Sequence, residues 1–409
     1  MNETISNFLQ SRIDAGDFPS AVYLVAEKGD VKFHDALGYA VVEPERIEAK
    51  LDTIYDVASL TKPLVTGLLC ARSIQNGTLR TTDLLSEFRD EFKETNMGAA
   101  TVQELAVHTS GVRAWAPMYL ISKSLLSVPG AIAKLPLESP LGKHVIYSDL
   151  NFIALGLVIE ACRHGWRIDL AAHDEIFEPL QLTRTLFNPS VENWNQVSHL
   201  GGKRIIAASE KGNAYEKQTC LDRGFLRNDA DFHRAGPGPV TLLDKEASSE
   251  LGIRNPQSAI RNHLIWGEVH DGNAYFMGGV AGHAGLFSTA EEVFKLAQQF
   301  LPNHTTLLKP ETCKLFTTNF TPGLNEDRSF AFQLASTEGS TAGQSMSPQA
   351  FGHNGFTGTS LWIDPVHERI FILLTNRTHN RRPPFVNINS VRRRFHDLAV
   401  SVLDKKISN

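Results

Sequence analysis

Runs of hydrophobic residues near both ends of the chain predict two β-hairpins. The predicted strands are residues 21–26, 31–36, 360–363 and 370–375. Lys28-Gly29-Asp30 separates the first pair and Asp364-Pro365 the second, and both are turn sequences. Helical spacing marks residues 3–15 and the end of 385–405. Strands at both ends with helices between them predict an α/β (α+β) fold, in which helices flank one antiparallel sheet.

The middle of the chain reads as a mostly helical insertion. We therefore expect a sheet domain from residues 1–80 and 283–409, and a helical domain from 81–282, with a cleft between them. Residues 217–263 are polar and broken by Gly236-Pro237-Gly238-Pro239. This segment predicts a loop-rich insertion, which is either a lid over the cleft or a loop on the surface.

A candidate nucleophile lies in Ser59-Leu60-Thr61-Lys62, which follows the apolar run 54–58. On a helix this spacing puts the serine and the lysine on one face. A serine needs a base before it can act as a nucleophile, and an amine one turn away can serve. The pattern also recurs by chance, as an N-cap serine followed by a solvated lysine, so its meaning depends on other motifs.

Three further stretches support a catalytic interpretation. They are Glu104-Leu-Ala-Val-His-Thr-Ser-Gly111, Tyr147-Ser-Asp149-Leu-Asn151 and Phe351-Gly-His353-Asn354-Gly355-Phe356-Thr-Gly358. A fourth, 278–289, is similar to a turn that precedes a late helix in serine hydrolases. This order resembles the β-lactamase and penicillin-binding protein superfamily, and more closely the class C β-lactamases and their esterase-like relatives. The resemblance extends from about residue 21 to the final helix.

The resemblance implies acyl transfer through an ester on Ser59. Lys62 and Tyr147 would share the serine proton, and the sequence leaves open which one is the base. The amides of Ser59 and Phe356 would stabilise the oxyanion. Gly355 and Gly358 would allow the strand to approach the substrate closely.

Two positions depart from the pattern of the family. Asp149 replaces the usual asparagine, so it either orients Lys62 or leaves substrate contact to Asn151. His353 stands where many relatives have lysine, beside Asn354. Because a neutral imidazole attracts a carboxylate weakly, we expect recognition of carboxylates to improve as the pH falls through about 6.5.

Composition excludes several other classes of function. The net charge of -5 predicts no nucleic-acid partner, and the basic groups Arg381-Arg382 and Arg392-Arg393-Arg394 read as solvated surface, with carboxylate binding by Arg381 or Arg382 as the alternative. No cofactor or metal is implied: the four cysteines are far apart, and His108, His270 and His283 read as hydrogen-bonded histidines rather than ligands. No membrane span or secretory signal is visible, which predicts a cytoplasmic location; the sequence does not indicate an oligomeric state.

Three hypotheses of function follow. The first is a serine hydrolase that forms an acyl-enzyme with small esters, amides, β-lactams or peptidoglycan-like peptides. The second is a penicillin-binding protein that acylates but turns over slowly. Both of these would take a small-molecule or short-peptide substrate. The third is a catalytically silent protein that uses the cleft to bind a partner, and the presence of Ser59, Lys62 and Tyr147 together argues against it.

Overall fold

A large antiparallel sheet forms the centre of the molecule. The computed structural model describes residues 1–189, 202–227 and 261–407. In these residues eight strands follow the order β3-β2-β1-β11-β10-β9-β8-β7. They are β1 (Ser20–Glu27), β2 (Asp30–Val41), β3 (Ile47–Glu48), β7 (Arg328–Ser329), β8 (Phe332–Leu334), β9 (Phe351–Asn354), β10 (Ser360–Asp364) and β11 (Arg369–Thr375). Strands from the two ends of the chain meet where β1 pairs with β11, which confirms the predicted fold class.

A second, smaller sheet brings three distant segments together. It contains β4 (Tyr55–Asp56), β5 (Leu186–Phe187) and β6 (Leu286–Ser288), and β6 lies in the middle. This sheet joins segments from both sides of the predicted domain boundaries. The division into 1–80 with 283–409, and 81–282, stays a prediction.

Helices cover both faces of the large sheet. The described α-helices are α1 (Glu3–Asp14), α2 (Leu68–Gln75), α3 (Leu85–Phe88), α4 (Val102–Ala106), α5 (Met118–Ile121), α6 (Val128–Ala133), α7 (Asp149–Ala161), α8 (Ile168–Ala172), α9 (Ala214–Asp222), α10 (Gly272–Phe276), α11 (Ala290–Gln298) and α12 (Asn389–Ile407). Every residue of β10 and β11 is buried, because side chains on both faces of these strands meet helices.

Two apolar layers account for this burial. On one face α1 and α12 contribute Leu9 and Phe395, which share a cluster with Tyr23 of β1 and Phe371 of β11. The other face packs against the nucleophile segment, α7 and α11 in a larger cluster. The segment that contains the candidate nucleophile, residues 59–62, is therefore held between the sheet and the helical region.

The polar segment 217–263 agrees only in part with the prediction of a loop-rich insertion. Its first residues belong to α9, a regular helix that begins at Ala214, so the prediction is wrong there. Cys220 of α9 is buried against its neighbours, which explains why a mostly polar sequence forms a helix. Residues 228–260 of the segment lie outside the described residues.

Candidate active site

The candidate nucleophile sits on a strained turn directly after β4. Ser59 belongs to a short 3₁₀ turn, and the preceding residue, Ala58, has a φ of 49°. A left-handed conformation is costly for alanine and persists only where neighbours enforce it. Here the Oδ1 atom of Asp56 accepts the Ala58 N–H at 2.8 Å, and the Thr359 hydroxyl donates to the Val57 carbonyl at 3.0 Å. The strained turn is therefore fixed from two sides.

Lys62 lies beneath the serine, fully buried, and its ammonium makes three close contacts. Nζ is 2.8 Å from Oγ of Ser59, 2.7 Å from Oδ1 of Asp149 and 3.1 Å from the carbonyl oxygen of His283. Burial lowers the pKa of Lys62, but the charge of Asp149 and the interaction with Tyr147 outweigh burial, and the net pKa is raised. Lys62 therefore carries a positive charge at neutral pH.

Tyr147 stands two residues before α7, close to two cations. The Lys62 Nζ lies 5.1 Å from the centre of the tyrosine ring, and the Arg328 guanidinium carbon lies 5.4 Å from it. Two imidazoles also pack against this ring, with centroid distances of 4.7 Å for His108 and 5.7 Å for His353. The three residues predicted to be catalytic thus lie together in the structure.

His353 is neutral at physiological pH, which makes one expectation wrong. Its Nδ1 lies 2.9 Å from the carbonyl oxygen of Asn354, so that nitrogen carries the proton of the neutral ring. Burial, followed by the charges of Lys62 and Arg328, holds the pKa of His353 well below its ordinary value. This lowered pKa opposes the expected gain of charge near pH 6.5, because a second proton would place a third cation in this buried cluster.

Asp149 and Asn151, the two alternatives for one role, point to different places. Asp149 opens α7, borders the cavity and pairs with Lys62. Asn151 is fully buried, and its Oδ1 accepts a hydrogen bond from the Ser110 hydroxyl at 2.5 Å. Substrate contact by Asn151 stays a prediction that this geometry does not favour. Asn354 borders the cavity beside His353.

The segment after β9 lies directly against the nucleophile turn. A Cβ atom on Gly355 would come within 2.7 Å of the Val57 carbonyl oxygen, so glycine is needed for contact with the turn rather than with a substrate. The Gly355 carbonyl accepts a hydrogen bond from Nη2 of Arg392 at 2.8 Å. In a planar trans peptide the N–H points opposite to the carbonyl, so the Phe356 N–H faces away from Arg392.

These elements enclose a cavity of about 490 Å³. Of the predicted residues it is bordered by Ser59, Tyr147, Asp149, His353, Asn354, Gly355 and Phe356. Sequence analysis missed several other lining residues, namely Trp115, Tyr215, Glu216, Asp271, Arg328, Arg377 and Arg392, and gave His270 no role in the site. The wall therefore carries both carboxylates and guanidinium groups.

Arg392 corrects the interpretation of the basic run near the C-terminus. It was expected on a solvated face, yet only 5% of it is exposed. A signal was present in the sequence: Arg392 is four residues after Ile388 and three before Phe395, so it shares the apolar face of α12. Arg381 instead donates to the Gly16 carbonyl at 2.9 Å and, like Arg382, does not border the cavity.

Arg377 and Arg392 hold consecutive carbonyl groups of the same strand end. Arg377 donates from Nε to the Phe356 carbonyl at 2.7 Å, next to the bond from Arg392 to Gly355. Burial, and then the charge of Arg377, lowers the pKa of Arg392 to about 9. Neither guanidinium has a carboxylate partner in the described part of the chain. Two adjacent cations on a cavity wall favour an anionic ligand.

The three histidines that were weighed as metal ligands make hydrogen bonds instead. His270 Nε2 lies 2.8 Å from Oε2 of Glu210, and His283 Nε2 lies 2.9 Å from Oδ1 of Asp271. His108 Nδ1 accepts the backbone N–H of Ser148 at 3.0 Å. Across the described ranges, the one group with metal-ligand spacing is exposed and does not border the cavity: His173, Asp174 and Glu178.

No described helix is both long and apolar enough to cross a membrane. The cytoplasmic location stays a prediction.

Comparison with known families identifies the site. A family model described as Beta-lactamase matches residues 5–392. The chain belongs to the β-lactamase family. This confirms the resemblance seen in the sequence and the assignment to serine hydrolases of the β-lactamase type.

Among similar sequences is a protein of Escherichia coli strain K12 whose name proposes a D-alanyl-D-alanine carboxypeptidase. It is 28% identical over 405 residues, which cover 92% of this chain and 82% of that protein. A Salmonella typhimurium protein of the same name is 28% identical over 401 residues, with the same coverage.

Solved structures share the fold of this β-lactamase family member at low sequence identity. The octameric penicillin-binding protein homologue from Pyrococcus abyssi has a TM-score of 0.67 at 15% identity, covering 98% of this chain and 77% of that one. EstCE1, titled a hydrolase with promiscuous acyltransferase activity, has a TM-score of 0.66 at 19% identity and covers 97% of both chains. A class C β-lactamase has a TM-score of 0.64 at 13% identity, covering 98% and 97%.

Proposed function

We propose that this protein hydrolyses carboxylate-bearing acyl substrates of the D-alanyl peptide type through an ester on Ser59. The observation that carries the chemistry is the buried ammonium of Lys62, which lies 2.8 Å from the Ser59 hydroxyl and 2.7 Å from Asp149. A solvated lysine beside an N-cap serine would show neither the burial nor the carboxylate partner.

The proton route follows from the charge of Lys62. Because Lys62 already holds its proton, Tyr147 takes the proton of Ser59 when the Oγ–carbon bond forms. This step requires the phenolate form of Tyr147, and the charged groups of Lys62 and Arg328, which lie 5.1 and 5.4 Å from the centre of the ring, would favour that form. Tyr147 then protonates the leaving nitrogen or oxygen as its bond to the acyl carbon breaks. Water releases the acyl group by the reverse sequence.

Two amides stabilise the tetrahedral intermediate in this proposal. One is the N–H of Ser59 on the strained turn, and the other is the N–H of Phe356, which faces away from Arg392. The contact between Gly355 and Val57 keeps the two segments that carry these amides together. Losing one such donor costs about 10²–10³ in rate.

The substrate class is inferred from the paired arginines. Arg377 and Arg392 border the cavity with no carboxylate partner in the described residues, so a substrate carboxylate can pair with them. Neutral His353 cannot serve this purpose. Peptides that end in D-alanyl-D-alanine carry a terminal carboxylate. The names of the E. coli and Salmonella relatives refer to D-alanyl-D-alanine.

A matched substrate pair tests this assignment. We expect kcat/KM for N-acetyl-D-alanyl-D-alanine to exceed that for its C-terminal amide by about tenfold or more, since hydrogen bonds to charged groups contribute about 1.5–3 kcal/mol. The preference should fall in Arg377→Gln and remain in Arg381→Gln, the control on the same loop that lies outside the cavity lining. Equal rates with both substrates would contradict the carboxylate assignment.

A further inference from the structure

We infer that His270 is a positioning residue that fixes both amides of the oxyanion hole, an inference that rests on the proposed function. His270 lies just before α10, is 4% exposed and borders the cavity. Its ring contacts one of the two amide-bearing segments, and its backbone is bonded to the other.

The ring of His270 supports the Phe356 side of the oxyanion hole. It stacks on the Phe356 ring with a centroid distance of 5.3 Å and an interplanar angle of 25°. Its Nε2 is fixed by Oε2 of Glu210 at 2.8 Å. The other oxygen of Glu210 accepts the Tyr215 N–H at 3.0 Å, and the Tyr215 ring also packs on Phe356, at 4.7 Å. One carboxylate thus holds two of the rings that surround Phe356.

The backbone of His270 supports the Ser59 side. Its N–H donates to Oδ2 of Asp56 at 2.7 Å, while Oδ1 of the same carboxylate accepts the Ala58 N–H at 2.8 Å. Ala58 is the strained residue that precedes the nucleophile. Asp56 is 4% exposed, and both of its oxygens are engaged by these bonds. The position of His270 is therefore transmitted to the turn that carries the Ser59 amide.

Hydrogen bonds to the neighbouring backbone also hold the peptide group that joins Gly355 to Phe356. Arg392 binds the carbonyl of Gly355, and Thr357 donates its hydroxyl to the backbone carbonyl of Asp56 at 2.8 Å. These bonds, with the one from Arg377 to the Phe356 carbonyl, fix the backbone of the strand end. Packing of the Phe356 ring against His270 and Tyr215 further restrains the residue that carries the amide, as a preorganised donor requires.

Charge adds to the effect of position. Burial lowers the pKa of His270, but its hydrogen bond to Glu210 and the surrounding carboxylates outweigh burial, and the net pKa is raised. The charged groups that face it are Glu210, Glu216, Asp56, Asp271, Arg261 and, across the Phe356 ring, Arg377. A protonated His270 places positive charge beside the segment where the oxyanion forms.

Three variants test the inference with p-nitrophenyl acetate as the substrate. His270→Gln retains a donor for Glu210 but lacks the ring, and Glu210→Gln retains the shape but lacks the charge. His304→Gln is the matched control, because His304 also pairs with a glutamate, Glu368, at 2.8 Å, and lies outside the cavity lining. Steady-state kinetics, the affinity for phenylboronic acid as a transition-state mimic and the melting temperature are measured for each.

A positioning role predicts a loss in kcat rather than in substrate affinity. We expect kcat of His270→Gln to fall by about tenfold to 100-fold, less than the roughly 10²–10³ for removal of a donor, while KM changes less than about twofold. The affinity for phenylboronic acid should fall by a similar factor, and Glu210→Gln should show a smaller loss in the same direction. The control should match the wild type.

The outcomes separate this inference from the proposed function. If the wild type forms a Ser59 adduct and His270→Gln keeps its kcat and boronate affinity, or changes KM alone, the positioning role is refuted and the acyl-serine mechanism stands. A lower melting temperature with unchanged kcat would likewise leave only a structural role. If the wild type forms no adduct on Ser59, the proposed function and the positioning role fail together.

Discussion

The cationic side chains on the two walls of the cavity differ in their binding partners. On the wall formed by the nucleophile segment and α7, Lys62 is paired with Asp149, and on the neighbouring strand Arg328 is paired with Glu326 at 2.8 Å. On the wall formed by the end of β9 and by α12, Arg377 and Arg392 bind only backbone carbonyls and an amide oxygen among the described residues. The two cations of the first wall each have a carboxylate partner, and the two of the second wall have none among the described residues.

In the proposed function this difference separates chemistry from substrate recognition. A paired ammonium keeps a fixed charge and fixed position through each proton transfer, as the catalytic wall requires. Unpaired, partly desolvated guanidinium groups instead gain most when a substrate supplies the missing carboxylate. Damage to the first wall should therefore reduce kcat, and damage to the second should reduce discrimination between substrates.

The largest expected effect comes from removing the cation of the catalytic wall. Lys62→Met should lower kcat for N-acetyl-D-alanyl-D-alanine by about 10²–10³, the usual range for a lost electrostatic stabiliser, because the positive charge beside Ser59 and Tyr147 is removed. The measurement is steady-state kinetics beside Lys32→Met, which removes a lysine from a surface ion pair with Asp30. Retention of more than half of the activity in Lys62→Met would contradict the assignment of catalysis to the first wall.

A smaller effect should follow when the lysine is kept and its partner is neutralised. Asp149 raises the pKa of Lys62, so Asp149→Asn should lower that pKa. If the reaction needs the Lys62 ammonium, activity is lost as the pH rises through this pKa, and the alkaline limb of the kcat/KM profile should move to lower pH. An unmoved limb, or one that moves to higher pH, would show that charged Lys62 is not the active form.

Most residues of the first wall could be predicted from the sequence, but few residues of the second wall, which we assign to substrate recognition, could be. Ser59, Lys62 and Tyr147 were predictable because a fixed spacing and a fixed order of motifs carry their chemistry. Arg377 and Glu216 were not, since their places depend on how α9 and the end of β11 meet the strand end after β9. His353 was located correctly but its charge was not, because burial and the neighbouring cations set its pKa.

The smallest expected effect concerns pH and the recognition wall. Glu216 borders the cavity, and burial together with the charge of Asp271 raises its pKa to about 7. As the pH rises through about 7, Glu216 gains negative charge and should weaken binding of a substrate carboxylate by a few-fold. The ratio of kcat/KM for N-acetyl-D-alanyl-D-alanine and its amide should decline over pH 6–8 in the wild type, and stay level in Glu216→Gln.

His353→Gln provides the contrasting control for this titration. Because His353 is neutral throughout this range, its replacement should leave the pH dependence of the ratio in place. A decline that disappears in His353→Gln and persists in Glu216→Gln would reverse the assignment of the titrating group.

The central claim is that Ser59 carries the acyl group, and the mass of the intact protein tests it most directly. The wild type and Ser59→Ala are quenched in acid after brief incubation with p-nitrophenyl acetate and, separately, with benzylpenicillin, and the modified peptide is mapped. The account predicts that the wild type gains one acetyl group on the peptide that contains Ser59, and that Ser59→Ala gains none and loses hydrolysis while keeping its melting temperature. A penicillin adduct that persists would add slow turnover of β-lactams. Full hydrolysis by Ser59→Ala, or an adduct on another residue, would contradict the account.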